Sequence, residues 1–495
     1  MRRVEQLLRA LRRRSVLVLA VAAVLAGCNL APAYKVPATP ASAQYKDIGP
    51  WVQAQPADQL PRADWWSLYG DAQLDQLQQR LLAHNADLAA ALAHYEQAQA
   101  LSREARADLF PQIGAAAGGV RQRQSDTATL RSPTAPPVYD TYTAGAQLGY
   151  EVDLWGQVRN TVAAGRDEAQ ASAADLASAQ LSLQAQLADN YLALRGLDQQ
   201  LQLLQQSVDA YQKALHLTQI LHHGGIVSGL DVARAQTQLS TVKSQWSQTA
   251  AQRALTEHAI AVLVGESAAQ FSLPVQAATI PLPRIPLAVP STLLQRRPDI
   301  AAAERRTAEA NAAIGVARAA YFPSLTLGAQ GGFLSGRYAD LLSAPNHVWA
   351  LGPSLLFDVF DGGRRKAQVA AARAAADQAG AEYRGVVLAA FQQVEDNLAL
   401  LDRLGAAMKD QQAAAVAAQH SLDLAMKQYK EGMASYLDVV QAQTAALQAQ
   451  SGLLSLGTQR LRASVQLIRA LGGGWSRGQL ARPPKPGSGG ETPGK

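Results

Sequence analysis

A serine between glycines, three histidines near one helix end and a lone cysteine are the residues of this 495-residue chain whose types could carry chemistry. Gly474-Trp475-Ser476-Arg477-Gly478 fits the Gly-x-Ser-x-Gly pattern of a nucleophile elbow, which needs a strand before the serine and a histidine after it. No histidine follows His420, so the triad order fails. His216, His222 and His223 lack a carboxylate-rich set of co-ligands and read as solvated side chains beside a helix C-terminus, whose partial negative charge favours them. No Gly-x-x-x-x-Gly-Lys-Ser/Thr loop is present, so the chain has no phosphate cradle with which to draw work from a nucleotide. The expectation is a protein that is not an enzyme and holds no metal or diffusible cofactor.

The formal charge of +6 sits almost wholly in residues 1–27, which hold six Arg and one Glu. The remainder is near neutral, which gives no case for a nucleic-acid partner. Arg2, Arg3, Arg9 and Arg12 to Arg14 precede an apolar run from Val16 to Leu25. That run is too short to span a bilayer and suits a secretory signal. It ends in Leu25-Ala26-Gly27-Cys28, which resembles the bacterial lipoprotein signal, and Cys28 is the only cysteine. The resemblance implies that Cys28 becomes a lipidated first residue. Asn29 stands where an inner-membrane retention signal would place Asp, so the implied destination is the outer membrane. After residue 27 no run of 18 apolar residues appears, so any crossing of a bilayer by the mature chain must use strands.

The chain is written twice. Arg106 to Pro111 recurs as Arg318 to Pro323, and Asp153-Leu154-Trp155 recurs as Asp358-Val359-Phe360. Gly225-Ile226-Val227-Ser228-Gly229-Leu230-Asp231-Val232 recurs as Gly432-Met433-Ala434-Ser435-Tyr436-Leu437-Asp438-Val439. The spacing predicts a first repeat over 63–290 and a second over 291–472, behind a signal peptide at 1–27 and an extended segment at 28–62. A disordered tail is expected over 473–495, where Gly, Pro, Ser and Lys dominate.

Each repeat has the same internal order. A helical stretch (71–107 and 299–320) stops at Pro111 or Pro323, because proline offers no N–H and pushes its predecessor towards extended geometry. Two alternating segments follow. In Thr141 to Val152 the even positions are apolar and the odd ones polar or Gly, the period of a strand with one greasy and one wet face. Leu325 to Phe333 repeats the pattern. Tyr142, Tyr150, Trp155, Trp349 and Phe357 are candidates for the aromatic edging of an apolar band. A soluble sheet with one solvated face fits the alternation as well.

Long helices come next, 160–221 and 364–430, with Leu and Tyr at three- and four-residue spacing that predicts coiled-coil packing. Gly225 and Gly432 are placed to end them in the left-handed conformation, and Ser228 with Asp231, or Ser435 with Asp438, fits a capping box that restarts a helix. Each repeat therefore carries a helical hairpin with a tight tip.

The order helix, Phe-Pro, strand pair, long helix, Gly-x-x-Ser-x-Leu-Asp-Val, helix, written twice, resembles the TolC-like outer-membrane efflux channels, closest to their lipoprotein branch. Asp64-Trp65-Trp66-Ser67-Leu68-Tyr69-Gly70-Asp71 looks like that family's Trp-Trp motif. The resemblance implies an α+β membrane protein and a homotrimer. Four strands per chain would make one twelve-stranded β-barrel, continued into the periplasm by an α-helical coiled-coil barrel. It implies an exit duct working with a periplasmic adaptor protein and an inner-membrane pump, set in outer-membrane lipid. It also assigns the hairpin tips to a periplasmic gate: Asp438 falls on an iris aspartate, Gln441 replaces a second carboxylate, and Tyr429 with Asp231 matches a latch. Two other readings compete, a lipid-anchored periplasmic coiled-coil scaffold and an exit duct for secreted peptides or proteins.

Overall fold

The computed structural model describes residues 29–39, 45–46, 64–125, 127, 136–285 and 296–478. The signal segment and Cys28 lie outside the described residues. In chain order the elements are a 3-10 turn (Trp65–Tyr69), α1 (Ala72–His84), α2 (Ala86–Ala107), β1 (Gln112–Arg123), β2 (Val138–Val152), α3 (Gln157–His223) and α4 (Gly229–Leu263). The second repeat supplies α5 (Pro298–Ala319), β3 (Ser324–Ser335), β4 (His347–Leu356), α6 (Arg364–Lys430) and α7 (Tyr436–Ala470). The chain forms two units, each drawing on both repeats.

The first unit (1–37, 95–172 and 303–383) holds the sheet. Its four strands run antiparallel in the order β1-β2-β3-β4. Register sets Ile113, Leu148, Ala329 and Leu351 side by side, then Ala115, Ala146, Gly331 and Trp349. Directly opposed residues share a face, so these rows make one continuous apolar surface. The other face carries Gln112, Thr143, Gln147, Glu151, Thr326, Gln330 and Ser354, with Val120, Leu334, Val348 and Leu356 as apolar exceptions. Among the described residues no layer covers the apolar face: Ile113 is 75% exposed, Trp349 72% and Leu351 76%.

Two glycines mark where neighbouring strands approach most closely. A Cβ on Gly332 would stand 2.4 Å from the Ala144 carbonyl oxygen, and one on Gly145 would stand 2.8 Å from that of Gly331. Both belong to the polar face and oppose each other across β2 and β3, so the backbones crowd together there. Side chains at this pair would force the strands apart, as glycine kinks in curved sheets avoid.

Residues 29–37 have no regular structure, and side chains of the same unit hold them. Asn311 Nδ2 donates to the Pro32 carbonyl (2.8 Å), Arg318 to that of Leu30 (3.1 Å), and the Tyr34 hydroxyl to Glu304 Oε1 (2.9 Å). Nearby, burial and then the adjoining Glu168 carboxylate raise the Glu309 carboxyl from 4.5 to about 7. A carboxyl that binds its proton more tightly when folded stabilises the fold at low pH and loses that contribution as pH rises from 4.5 through about 7. Thermal stability should accordingly fall across that window, and Glu309→Gln should flatten the slope in a melting series. An unaltered slope would reject the assignment.

The second unit (38–94, 173–302 and 384–495) is built on a buried aromatic and aliphatic core. Trp65, Trp66 and Tyr69 pack among Leu74, Leu77, Tyr191, Leu194, Ile260 and Ile468. Gly70, at φ 64°, turns the chain into Asp71, whose Oδ1 accepts the Gln73 and Leu74 N–H groups at the start of α1. Its Oδ2 accepts from the Tyr191 hydroxyl at 2.8 Å. The Trp-Trp motif is thus a buried anchor.

One boundary differs from expectation. The single helix expected over 71–107 breaks at Asn85, which is extended (ψ 125°). Its side chain caps α2 by accepting from Leu88 N–H (2.8 Å) and donates to the Leu263 carbonyl at the end of α4 (2.9 Å). Of the tail expected over 473–495, residues 473–478 are described and Trp475 packs on Ala174, Ala301 and Ala302; residues 479–495 lie outside the described residues.

Candidate functional site: the paired hairpin tips

Both tips sit in the second unit, built the same way from the same residues. At the end of α3, Gly225 (φ 75°) donates to the His222 carbonyl and Ile226 to that of Leu221. At the end of α6, Gly432 (φ 73°) donates to Tyr429 and Met433 to Gln428. A side chain at either glycine would strain this left-handed turn. Ser228 then accepts from the Asp231 N–H while Asp231 accepts from the Ser228 N–H, and Ser435 with Asp438 repeats the arrangement. Pro111 and Pro323 lie between α2 and β1 and between α5 and β3, in the other unit.

The tips differ in charge. Asp231 faces Arg234 one turn later, at 3.4 Å. The position matching Arg234 in the second repeat is Gln441, and no cation pairs with Asp438 among the described residues. Asp438 Oδ2 accepts from Ser435 Oγ (2.7 Å) and N (3.0 Å). Capping therefore occupies one oxygen and leaves the net charge uncompensated, whereas at Asp231 the arginine offsets it.

Tyr429 lies under the second tip, buried against Tyr436 with ring centroids 5.3 Å apart. Its hydroxyl is 3.4 Å from Thr218 Oγ1 of α3. Within one chain no hydrogen bond joins Tyr429 to Asp231 among the described residues. Burial, then Tyr429, Tyr211 and Asp231, push the Tyr436 hydroxyl up to about 12, so it stays neutral. Thr218, Arg234 and Tyr436 were absent from the candidate residues of the sequence, although aligning the two tip motifs puts Arg234 opposite Gln441.

Of the other chemistry-bearing residues, the histidines border the first tip itself. His222 Nδ1 is 2.9 Å from the Val227 carbonyl oxygen and His223 Nδ1 is 2.7 Å from that of Gln219. Among the described residues no group of three His, Cys, Asp or Glu side chains is placed to hold a metal. Ser476 follows a glycine turn after α7, where no strand leads into it. No helix among the described residues is long and apolar enough to cross a membrane.

The family model described as outer membrane efflux protein matches residues 77–266 and 289–473. The outer membrane protein OprJ of Pseudomonas aeruginosa is 33% identical over 464 residues, covering 93% of this chain and 96% of OprJ. A probable efflux pump outer membrane protein of Pseudomonas putida, TtgC, is 32% identical over 465 residues, covering 93% and 96%. Among solved structures, the outer-membrane channel OprN aligns with a TM-score of 0.84 at 28% identity, covering 90% of this chain and 100% of OprN. The open state of the MtrE outer membrane channel of Neisseria gonorrhoeae aligns at 0.78 and 27% identity, covering 91% and 99%. The match spans both repeats and both units, and the chain belongs to the outer membrane efflux protein family.

Proposed function

We propose that this chain is the outer-membrane exit duct of a tripartite efflux system, in which three copies close one twelve-stranded barrel. A periplasmic adaptor and an inner-membrane pump deliver small molecules to it. The observation that carries this reading is the sheet: one face is apolar and bare, the other polar, and β1 and β4 have unpaired edges. Lipid solvates the first surface, water the second, and lipid tolerates no open edge, so the sheet must close with other copies. The chain itself supplies no energy; it conducts passively. Purified protein in planar bilayers should conduct ions as a heat-dissociable oligomer. Recovery of the acylated protein without detergent as a water-soluble monomer would overturn the reading.

The tips are the gate. Symmetry around the duct axis gathers copies of Asp438, and the missing cation at Gln441 leaves each of them charged. The repulsion is offset by packing of Tyr429 and Tyr436 under the tip. Asp438→Asn keeps an acceptor for the cap while removing the charge, which Asp438→Ala would not. Asp438→Asn, which removes the repulsion, should lower single-channel conductance, and Tyr429→Ala, which removes the packing, should raise it severalfold. Assembled variants that both conduct like the wild type would remove these residues from the gate. Cys28 carries the lipid in this reading, so Cys28→Ser should abolish lipidation and leave barrel insertion largely intact.

A further inference from the structure

The strand ends of the two repeats are alike in sequence and unlike in surroundings. Trp155, just after β2, stacks on Phe322 with ring centroids 4.5 Å apart and donates from Nε1 to the Pro323 carbonyl at 2.9 Å. It thereby closes the base of the seam between β2 and β3. Its counterpart after β4 is Phe360, which is 90% exposed. The counterpart of Phe322-Pro323 is Phe110-Pro111, and Phe110 is 61% exposed. One half of the same contact waits beside β4 and the other beside β1, at opposite edges of the sheet.

At the seam where the barrel closes, β4 of one copy against β1 of a second, we infer a register that sets Leu351 opposite Gly119 and Leu355 opposite Ala115. Phe360 packs on Phe110 and Pro111 of that second copy, as Trp155 packs on Phe322 and Pro323 within the chain. The register is the observed β2–β3 register carried across by the repeat. Tyr150 faces Leu327 in the chain, and their counterparts are Leu355 and Ala115. It passes a check it was not built to pass, because the bare face of β4 meets the same face of β1: Leu355, Pro353 and Leu351 meet Ala115, Ala117 and Gly119, while Trp349 and His347 meet Arg121 and Arg123 at the strand end. Bulky Leu351 and Leu355 also meet the small Gly119 and Ala115.

Barrel geometry separates this register from its nearest rival. The observed pairings lead from Gln112 through Gly149 and Gly328 to Gly352. The proposed seam places Gly352 opposite Gly118 of the second copy, six residues along β1. With about 3.3 Å per residue and 4.8 Å between strands, three such steps tilt twelve strands by ~46°, close to the usual 35–45°. Aligning the repeats instead by their helix starts, Gln157 with Arg364, puts Gly352 opposite Val120 and requires ~54°.

The inference rests on the barrel reading above, and the experiment separates the two. Cysteine pairs are introduced in the full-length protein, with native Cys28 as common background: Leu355→Cys with Ala115→Cys, and Ser354→Cys with Ala116→Cys. One of two successive pairs is a non-hydrogen-bonded pair, whose closer Cα atoms suit a disulfide. Mild oxidation in membranes should give covalent dimers and trimers from at least one pair. Leu355→Cys with Ile113→Cys or with Ala117→Cys should give few. Cross-links confined to those shifted pairs, or none from any pair in a conducting oligomer, overturn the register while leaving the duct standing. Wild-type protein that neither conducts nor assembles overturns both. Phe360→Ala should lower the temperature at which the detergent-resistant oligomer dissociates and Phe360→Trp should restore it; an unchanged dissociation temperature in Phe360→Ala overturns the aromatic contact.

Discussion

Leu148→Arg is expected to block assembly, whereas Gln147→Arg, one residue away on the same strand, is expected to assemble normally. Leu148 lies on β2 with Ile113 on one side and Ala329 on the other, near the middle of the apolar face. An arginine on the lipid side of a barrel near the bilayer midplane costs ~2–4 kcal/mol. Each copy carries the change, so three such costs fall on one barrel. Gln147 lies on the polar face and pairs with Gln330. A charge there meets water, and its effect belongs to conduction: Gln147→Arg should shift ion selectivity towards anions. The readouts are the fraction of detergent-resistant oligomer in outer membranes and the reversal potential in asymmetric salt. A tolerated Leu148→Arg together with a lethal Gln147→Arg would invert the faces and end the barrel assignment.

Signals confined to a few neighbouring residues were legible in the chain, and contacts between distant segments were not. The bounds of α6 could be read because glycines stand at both ends, Gly362-Gly363 and Gly432, and no proline lies between. The tips could be read because a capping box is a four-residue pattern with its own hydrogen bonds. The apolar face of β2 was visible as a period of two, but the partner of each residue required the register. Asn85 shows the limit. Its helix break depends on a bond to the Leu263 carbonyl, far along the chain, and only the capping preference of Asn before Ala86-Asp87-Leu88 hinted at it. Trp475 escaped notice because composition around it is that of a tail, and a single aromatic on three alanines leaves no period. The charge difference between the tips was in reach, since Arg234 and Gln441 occupy matching places in the repeat.

Asp198→Ala is expected to be the most destabilising single change in the second unit. Asp198 is fully buried on α3 and holds two arginines, Arg195 at 2.7 Å and Arg253 at 2.8 Å, besides accepting the Gln276 N–H at 3.0 Å. Arg195 also donates to the Pro274 carbonyl and Arg253 to that of Leu273, while Glu257 accepts the Leu273 N–H. The segment that leaves α4 is thus sewn to α3 and α4 through one carboxylate. Removing it leaves Arg195 without a counter-charge and Arg253 with Glu257 alone, at 3.0 Å, and breaking a buried pair in this way costs ~3–5 kcal/mol. The second repeat shows what the carboxylate is for. There Arg460 matches Arg253 and lies beside Gly405, which matches Asp198, and its Nε is buried without a hydrogen-bond partner. The helices pack in both repeats, so Asp198 serves the segment that follows α4 rather than the helices themselves. Limited proteolysis of Asp198→Ala should then cut first between Gly265 and Ile285, before any cut in α3 or α4. Cleavage beginning within the helices would place the carboxylate's role in helix packing instead.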